Sequence, residues 1–462
     1  MKIDPQELLA LSERYSTRVP RYTSYPTAVE FTPDFSSLMW RNALERDLTL
    51  CGARTSLYIH IPFCKKLCFF CACAREGGSN RSRVKPYMYS LMQELASYRD
   101  IANGMTISQL HFGGGSPNYL TPEELTTVVE SVRAFFPAWD SKAELSIEFD
   151  PRETSIRHIQ VARELGFSRI SFGVQDFHPK VQKAIHRSQS LDATARLVSE
   201  SRARGIEEIN FDLIYGLPEQ TLESWRKTLE QVINLQPNRL AVYGYAHVDW
   251  RAKNQQAFNE TVYLPNAHER IALFCLTHSM LQDAGYYYLG MDHFAREDDS
   301  LTKAHRAGTM RRNFMGYSTQ AGVRVIGLGA SAISSTQYAY SQNHIPIQAY
   351  NNSMMLLGNA VARGMMIAPD DVIRRNIIEE IMCTGRVRLD DYAAKFTEHL
   401  SVAFPSLYES LEHLRADQLI TIEDSVLTAT PKGRFFLRNI ASLFDGHLRK
   451  YGTTNKVFSS AV

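Results

Sequence analysis

The sequence predicts an α/β fold: a partial parallel barrel of six strand–helix units, an N-terminal extension before it, and a mainly helical, winged-helix-like C-terminal domain after it. Three observations carry this. From about residue 55, six short apolar runs alternate with longer segments of helical periodicity. Sulfur-bearing, glycine-rich or charged residues stand just after several of those runs. After about residue 350 the texture turns helical.

The chain has 462 residues, 44% hydrophobic and 22% charged, which suits a large domain plus a smaller one. The expected divisions are an extension over 1–50, a barrel over 51–350 and a helical domain over 351–462. The strand candidates are SLYIHIP (56–62), SQLHFGG (108–114), AELSIEFD (143–150), FSRISFGV (167–174), EINFDLIYG (208–216) and RLAVYGYA (239–246). Each is rich in Ile, Val, Phe or Tyr and bounded by Gly, Pro or Asp. Between them lie amphipathic stretches such as VKPYMYSLMQELASY, TPEELTTVVESVRAFF and LESWRKTLEQVINL. TPEE and LPEQTLES supply N-capping residues at helix starts. Strand followed by helix, six times over, implies parallel strands joined by right-handed crossovers. The cysteines, GGGSP, Glu148 and Gln175 fall at or after strand carboxyl ends, the face where parallel barrels build their sites.

PRYTSYPT (20–27) is too proline-rich for a helix. In the C-terminal part, PDDVIRRNIIEEIMC and LYESLEHLRAD read as helices and LITIEDSVLTATPKG as two strands with a turn. The pattern is winged-helix-like. Glu379, Glu380, Glu412 and Asp417 among its arginines favour a cap over a DNA reader.

A net charge of +2 argues against a bulk polyanion as partner, so no nucleic acid is expected. No apolar run reaches the roughly 18 residues of a membrane span. MKIDPQELLALSERYS lacks an apolar h-region, so a cytoplasmic protein is expected, and the sequons at Asn259 and Asn351 carry no meaning there. Four of the seven cysteines fall within ten residues, a clustering that favours metal ligation over a disulfide framework.

FCKKLCFFCACA sets Cys64, Cys68, Cys71 and Cys73 in a C-x3-C-x2-C-x-C array. Three thiolates from one tight loop can hold three irons of a cubane [4Fe–4S] cluster and leave the fourth open to a chelating ligand. S-adenosylmethionine can occupy it through its amino and carboxylate groups. Zinc is the competing reading, but zinc ribbons bring two CxxC-type pairs from separate loops and no second pair exists here.

At this motif the chain resembles the radical S-adenosylmethionine superfamily, and within it the oxygen-independent coproporphyrinogen III oxidases (dehydrogenases) of haem biosynthesis. The resemblance runs from PRYTSYPT through YIHIPFCKKLCFFCAC, HFGGGSPNYL, SIEFDPRE, GVQDF, NFDLIYGLP, YAHV, GMDHFA and RNFMGYSTQ to KGRFFLRNI. The three-cysteine loop identifies the superfamily. Cys73, PRYTSYPT and the RNFxGY segment point to this family.

The resemblance implies a radical S-adenosylmethionine barrel with one cluster on Cys64, Cys68 and Cys71. It implies contacts to the cluster-bound S-adenosylmethionine from Tyr58, Gly114, Glu148 and Ile333. A second S-adenosylmethionine is implied at Phe70, Gly115, Ser116, Gln175, Arg187, Asp212, Ala246 and Phe314. Cys73 matches a cysteine that the family retains without ligating the cluster, and a catalytic role in radical handling or proton transfer is expected. Arg21 and Tyr22 are candidates for closing over a propionate-bearing tetrapyrrole.

The implied reaction converts two propionates of coproporphyrinogen III to vinyl groups through a 5′-deoxyadenosyl radical, giving protoporphyrinogen IX. A cellular one-electron reductant and a monomeric state are expected with it. Two departures from the family pattern are visible: Ala72 and Ala74 flank Cys73 where Gly and Asn are typical, and Met315 stands where Gln is common. The alternatives are a paralogue acting on another tetrapyrrole and a haem-binding chaperone on the same fold, with a winged-helix regulator as a third class.

Overall fold

The computed structural model describes residues 4–250, 252–258, 262–320, 322–393, 395–396, 404, 406–451 and 458. Asn259 lies outside these residues; Asn351 sits in the helix Ile347–Leu357. The chain forms two compact units, each discontinuous in sequence. One comprises residues 31–273 and 322–366, the other 1–30, 274–321 and 367–462.

The first unit holds the predicted strand–helix alternation. Its strands are β1 (Arg54–Ile61), β2 (Thr106–Gly114), β3 (Trp139–Phe149), β4 (Arg169–Gln175), β5 (Glu208–Tyr215) and β6 (Arg239–Gly244). All five neighbouring pairs are parallel, in chain order. Leu57, Ile59, Phe112, Ile147, Phe172 and Phe211 are fully buried, so alternate positions build the core and the intervening ones are left for the site. The helices between them begin where the caps predict. Thr121 and Glu124 form a reciprocal capping box at Pro122–Phe135, and Thr221 and Ser224 do the same at Leu222–Leu235.

A strand that the hydrophobic pattern did not single out, β7 (Arg324–Leu328), pairs parallel to β1 on its other side. Three antiparallel strands follow: β8 (Ile333–Ser335), β9 (Ala339–Asn343) and β10 (Val361–Met366). β7 is anchored by a buried ion pair in which Arg324 Nε donates to Asp47 Oδ2 at 2.7 Å. The result is the mixed, parallel-dominated sheet of the predicted α/β class.

In the second unit, the helix Pro369–Thr384 leads into a three-stranded antiparallel sheet of Arg386–Arg388, Val426–Ala429 and Ile420–Glu423. Asp424 and Ser425 both take positive φ, making the tight two-residue turn that reverses the last pair. This is the helix-and-wing pattern expected from the sequence. The N-terminal strip is built into the same unit: Tyr22 is buried and its hydroxyl donates to Asp445 Oδ2 at 3.0 Å, while Arg21 pairs with Asp292. No described helix is long and apolar enough to cross a membrane.

Candidate functional site

β1 delivers the cysteine loop. Cys64 and Cys71 are half-buried, Cys68 is buried and Cys73 is exposed; all four are free thiols. The loop is held from outside by two side chains that no motif reading singled out. Asn254 Nδ2 donates to the carbonyls of Cys68 (3.1 Å), Phe69 (2.8 Å) and Cys71 (2.9 Å), and Gln255 Nε2 donates to that of Phe70 (2.7 Å). Phe70 is half-buried among the apolar residues around Ile185 and Leu217.

The thiols stand in unlike surroundings. Burial pushes Cys64 up to about 11. Cys71 is pulled down to about 6, chiefly by the hydrogen bond from the Cys73 thiol, against burial and with help from Arg75; Cys73 is raised in return. Cys68 receives Arg187 Nη1 at 3.4 Å and Arg152 Nη2 at 3.6 Å. Cationic donors at the sulfurs suit thiolates bound to iron. Among the described residues, no three His, Cys, Asp or Glu side chains are grouped to hold a single metal ion. A cubane instead spreads its thiolates over separate irons.

The glycines at the end of β2 are demanded by their neighbours. Gly114 has φ +107, and a Cβ there would strike the His60 ring; at Gly115 it would lie 2.7 Å from the Phe63 carbonyl. The Gly115 and Ser116 amides already donate to the Ile61 and Phe63 carbonyls, both at 2.8 Å. Beside them runs a polar belt across the strands. The Tyr58 hydroxyl meets His60 Nδ1 at 2.9 Å, and the Tyr58 ring stacks on His111 with centroids 5.9 Å apart. His111 in turn touches Ser146 Oγ (2.8 Å) and Glu148 Oε1 (3.2 Å). On β5, Asp212 accepts from Ser171 Oγ and Asn210 Nδ2, both at 2.9 Å. Burial, with the Glu148 charge adding, pushes Asp212 up to about 7.

Gln175 closes β4 with φ +65, and the buried Asp176 after it is fixed by Gln220 (2.6 Å) and Thr228 (2.8 Å). Arg187 is buried. Both its terminal nitrogens reach Asp150, one also reaches Cys68 and the other the Gly173 carbonyl, while Nε has no hydrogen-bond partner among the described residues. Ala246 follows β6, its carbonyl accepting from Gln255 at 3.2 Å, and Ile333 opens β8. The first unit thus contains every residue expected to touch the cluster or S-adenosylmethionine except Phe314, which lies in the second between the strands Arg311–Asn313 and Gly316–Ser318; the substrate-closing candidates Arg21 and Tyr22 are also in the second.

Comparison with known proteins agrees with this architecture. The Radical SAM superfamily profile matches residues 58–232 and the HemN C-terminal domain profile matches 367–436. Oxygen-independent coproporphyrinogen III oxidase of Pseudomonas aeruginosa is 39% identical over 440 residues, 95% of each chain. That of Escherichia coli is 38% identical over 446 residues, 96% of each. The chain belongs to the oxygen-independent coproporphyrinogen III oxidase family. The solved structure of the Escherichia coli radical SAM enzyme coproporphyrinogen III oxidase (HemN) superposes with a TM-score of 0.89 at 37% identity, covering 97% of this chain and 100% of that one.

Membership in this family brings a [4Fe–4S] cluster and S-adenosylmethionine. The residues present fit both: three thiols on one loop with guanidinium donors at Cys68, and beside them a glycine strip and a carboxylate-bearing belt. Of the departures from the family pattern, Ala74 keeps a main-chain role, since its carbonyl meets His60 Nε2 at 2.9 Å. Sequence reading missed His111, Asn254, Asp150 and Arg152. For His111, Asp150 and Arg152 a signal existed, because all three sit inside the quoted HFGGG and DPRE segments. Asn254 had none.

Proposed function

We propose that this oxidoreductase converts two propionate side chains of coproporphyrinogen III to vinyl groups without oxygen, giving protoporphyrinogen IX for haem biosynthesis. The observation that carries the reading is the full-length likeness to enzymes of that name, joined to the three-cysteine loop at the end of β1. When bound, the cluster and S-adenosylmethionine supply a 5′-deoxyadenosyl radical that takes a hydrogen from a propionate β-carbon; carbon dioxide then leaves and one electron passes to an acceptor.

The chain's own residues orient and shield. Cys64, Cys68 and Cys71 hold the cluster. Tyr58, Gly114, Glu148 and Ile333 hold its S-adenosylmethionine, Glu148 offering a carboxylate to the ammonium or a ribose hydroxyl. A second S-adenosylmethionine is assigned to Phe70, Gly115, Ser116, Gln175, Arg187, Asp212, Ala246 and Phe314. Arg187 Nε, buried without a hydrogen-bond partner among the described residues, is a donor left for it. Cys73, exposed beside Cys71, is assigned to radical handling or proton transfer. Residues 1–50 are assigned as a substrate lid before a barrel over 51–350 and a helical domain over 351–462. A cytoplasmic monomer fed by a one-electron donor completes the proposal.

The test is an anaerobic assay of reconstituted protein with reductant, S-adenosylmethionine and coproporphyrinogen III. Protoporphyrinogen and carbon dioxide are expected together with 5′-deoxyadenosine. Formation of 5′-deoxyadenosine without protoporphyrinogen would keep the radical chemistry and remove the substrate.

A further inference from the structure

Two guanidiniums and one carboxylate converge on a single cysteine of the loop. Asp150, the residue after β3, is 7% exposed, and its backbone is tied to Asn118 by an N–H to Oδ1 bond of 3.0 Å and a return bond from Nδ2. Its Oδ2 accepts from Arg152 Nη2 at 2.6 Å and from Arg187 Nη1 at 3.2 Å; its Oδ1 accepts from Arg187 Nη2 at 3.1 Å and from Arg152 Nε at 3.0 Å. The Arg152 side chain is 10% exposed and that of Arg187 7%. Both then reach past the carboxylate to Cys68 Sγ, at 3.6 and 3.4 Å. Nearby Glu153 is engaged elsewhere, with Lys65 at 2.8 Å.

The charge count within this cluster is uneven. Two cations share one anion, so one positive charge is left facing the Cys68 sulfur. A buried excess charge is costly unless an opposite charge meets it. A thiolate bound to an iron–sulfur cluster supplies that charge, and does so more strongly once the cluster has gained an electron. Cys64 has a different setting: its sulfur lies 3.6 Å from the neutral Ser116 hydroxyl. Hydrogen bonds and positive charge at a ligating sulfur favour the reduced cluster and raise its potential.

We infer that Asp150, Arg152 and Arg187 form a clamp on Cys68 that raises the reduction potential of the cluster, with Arg152 as the positioning residue dedicated to it. The inference rests on the reading of Cys64, Cys68 and Cys71 as cluster ligands. The redox step is entry of one electron into the oxidised cluster from the one-electron donor; no bond is made or broken at Arg152. Asp150 aims both guanidiniums.

The experiment compares full-length wild type, Arg152→Gln and Arg152→Lys, each anaerobically reconstituted and titrated electrochemically, with the reduced cluster followed by electron paramagnetic resonance. Iron and sulfide content is measured on the same samples. Arg152→Gln is expected to keep its cluster and show a lower midpoint potential. At a fixed donor potential its reduced-to-oxidised ratio falls about tenfold, the scale of one hydrogen bond to a charged group. Arg152→Lys recovers part of the shift, because it restores the charge without the planar fork. A wild-type midpoint in fully loaded Arg152→Gln overturns the inference and leaves the cluster reading intact. Should Arg152→Gln fail to load, the loaded Arg152→Met protein, which keeps the aliphatic stem and drops the charge, decides, and a wild-type midpoint there overturns the inference. A wild-type protein that holds no cluster instead removes the underlying reading.

Discussion

A Cβ at Gly113 would lie 2.9 Å from Glu148 Oε1, so the glycine is what leaves that carboxylate room beside His111. The belt residue and the glycine strip are therefore one device contributed by adjacent strands. Gly113→Ala should push the Glu148 carboxylate away, and Glu148→Gln should remove its charge. Each is expected to weaken S-adenosylmethionine binding to the reconstituted protein about tenfold or more, the scale of a charge-assisted hydrogen bond. Equilibrium binding measures it; wild-type affinity in both variants would remove Glu148 from the ligand's contacts.

Asn254 ties three carbonyls of the cysteine loop through one amide. Asn254→Ala removes the one tie the three carbonyls share, leaving the Cys68 carbonyl to the Cys71 amide (3.3 Å) and the Cys71 carbonyl to Arg75 Nη2 (2.8 Å), and loosens the spacing of Cys68 and Cys71. Cluster loss to a chelator, followed by visible absorption, should be about ten times faster than in wild type. An unchanged rate would mean that the loop keeps its shape without this tie.

The four loop cysteines should divide three against one. Cys64→Ala, Cys68→Ala and Cys71→Ala are expected to lose most bound iron on reconstitution. Cys73→Ser is expected to keep its iron and lose protoporphyrinogen formation. Iron content and product assay on the same preparations separate the two classes, and full iron in any of the first three would break the ligand assignment.

Asp212 carries a pH signature. Burial holds it near 7 in the folded protein, above the ordinary aspartate value, so between those values the folded state keeps a proton that the unfolded state has released. Its contribution to stability is full at low pH and is lost as pH rises through about 7. Asp212→Asn abolishes that loss while retaining one carbonyl oxygen, which can accept from Asn210. The melting temperature of the variant relative to wild type should rise from pH 5 to pH 8. A difference flat with pH would place the Asp212 titration elsewhere.

Alternation of short apolar runs with capped amphipathic segments was enough to read the six-strand order, because burial at every second strand position and capping chemistry are local properties. β7 escaped that reading. VRVIGLG looks like any apolar run, and its place beside β1 depends on the distant Arg324–Asp47 pair. The three-cysteine motif was legible because its thiols are neighbours on a single loop. His111 was marked only by its place in HFGGG, and its role was not legible because its partners Tyr58, Ser146 and Glu148 are on neighbouring strands.

The sequence by itself determined the chemistry, the parallel alternation and the family, since thiol spacing, strand period and extended motifs are written in neighbouring residues. Tertiary structure alone decided which groups condition that chemistry. Asp150 meets Arg187 and Cys68 meets Arg152 only because β-strand register carries separate loops to one end of the sheet. Asn254 reaches the cysteine loop from more than 180 residues away. No spacing rule encodes such meetings: they are set by which strand ends become neighbours when the core closes.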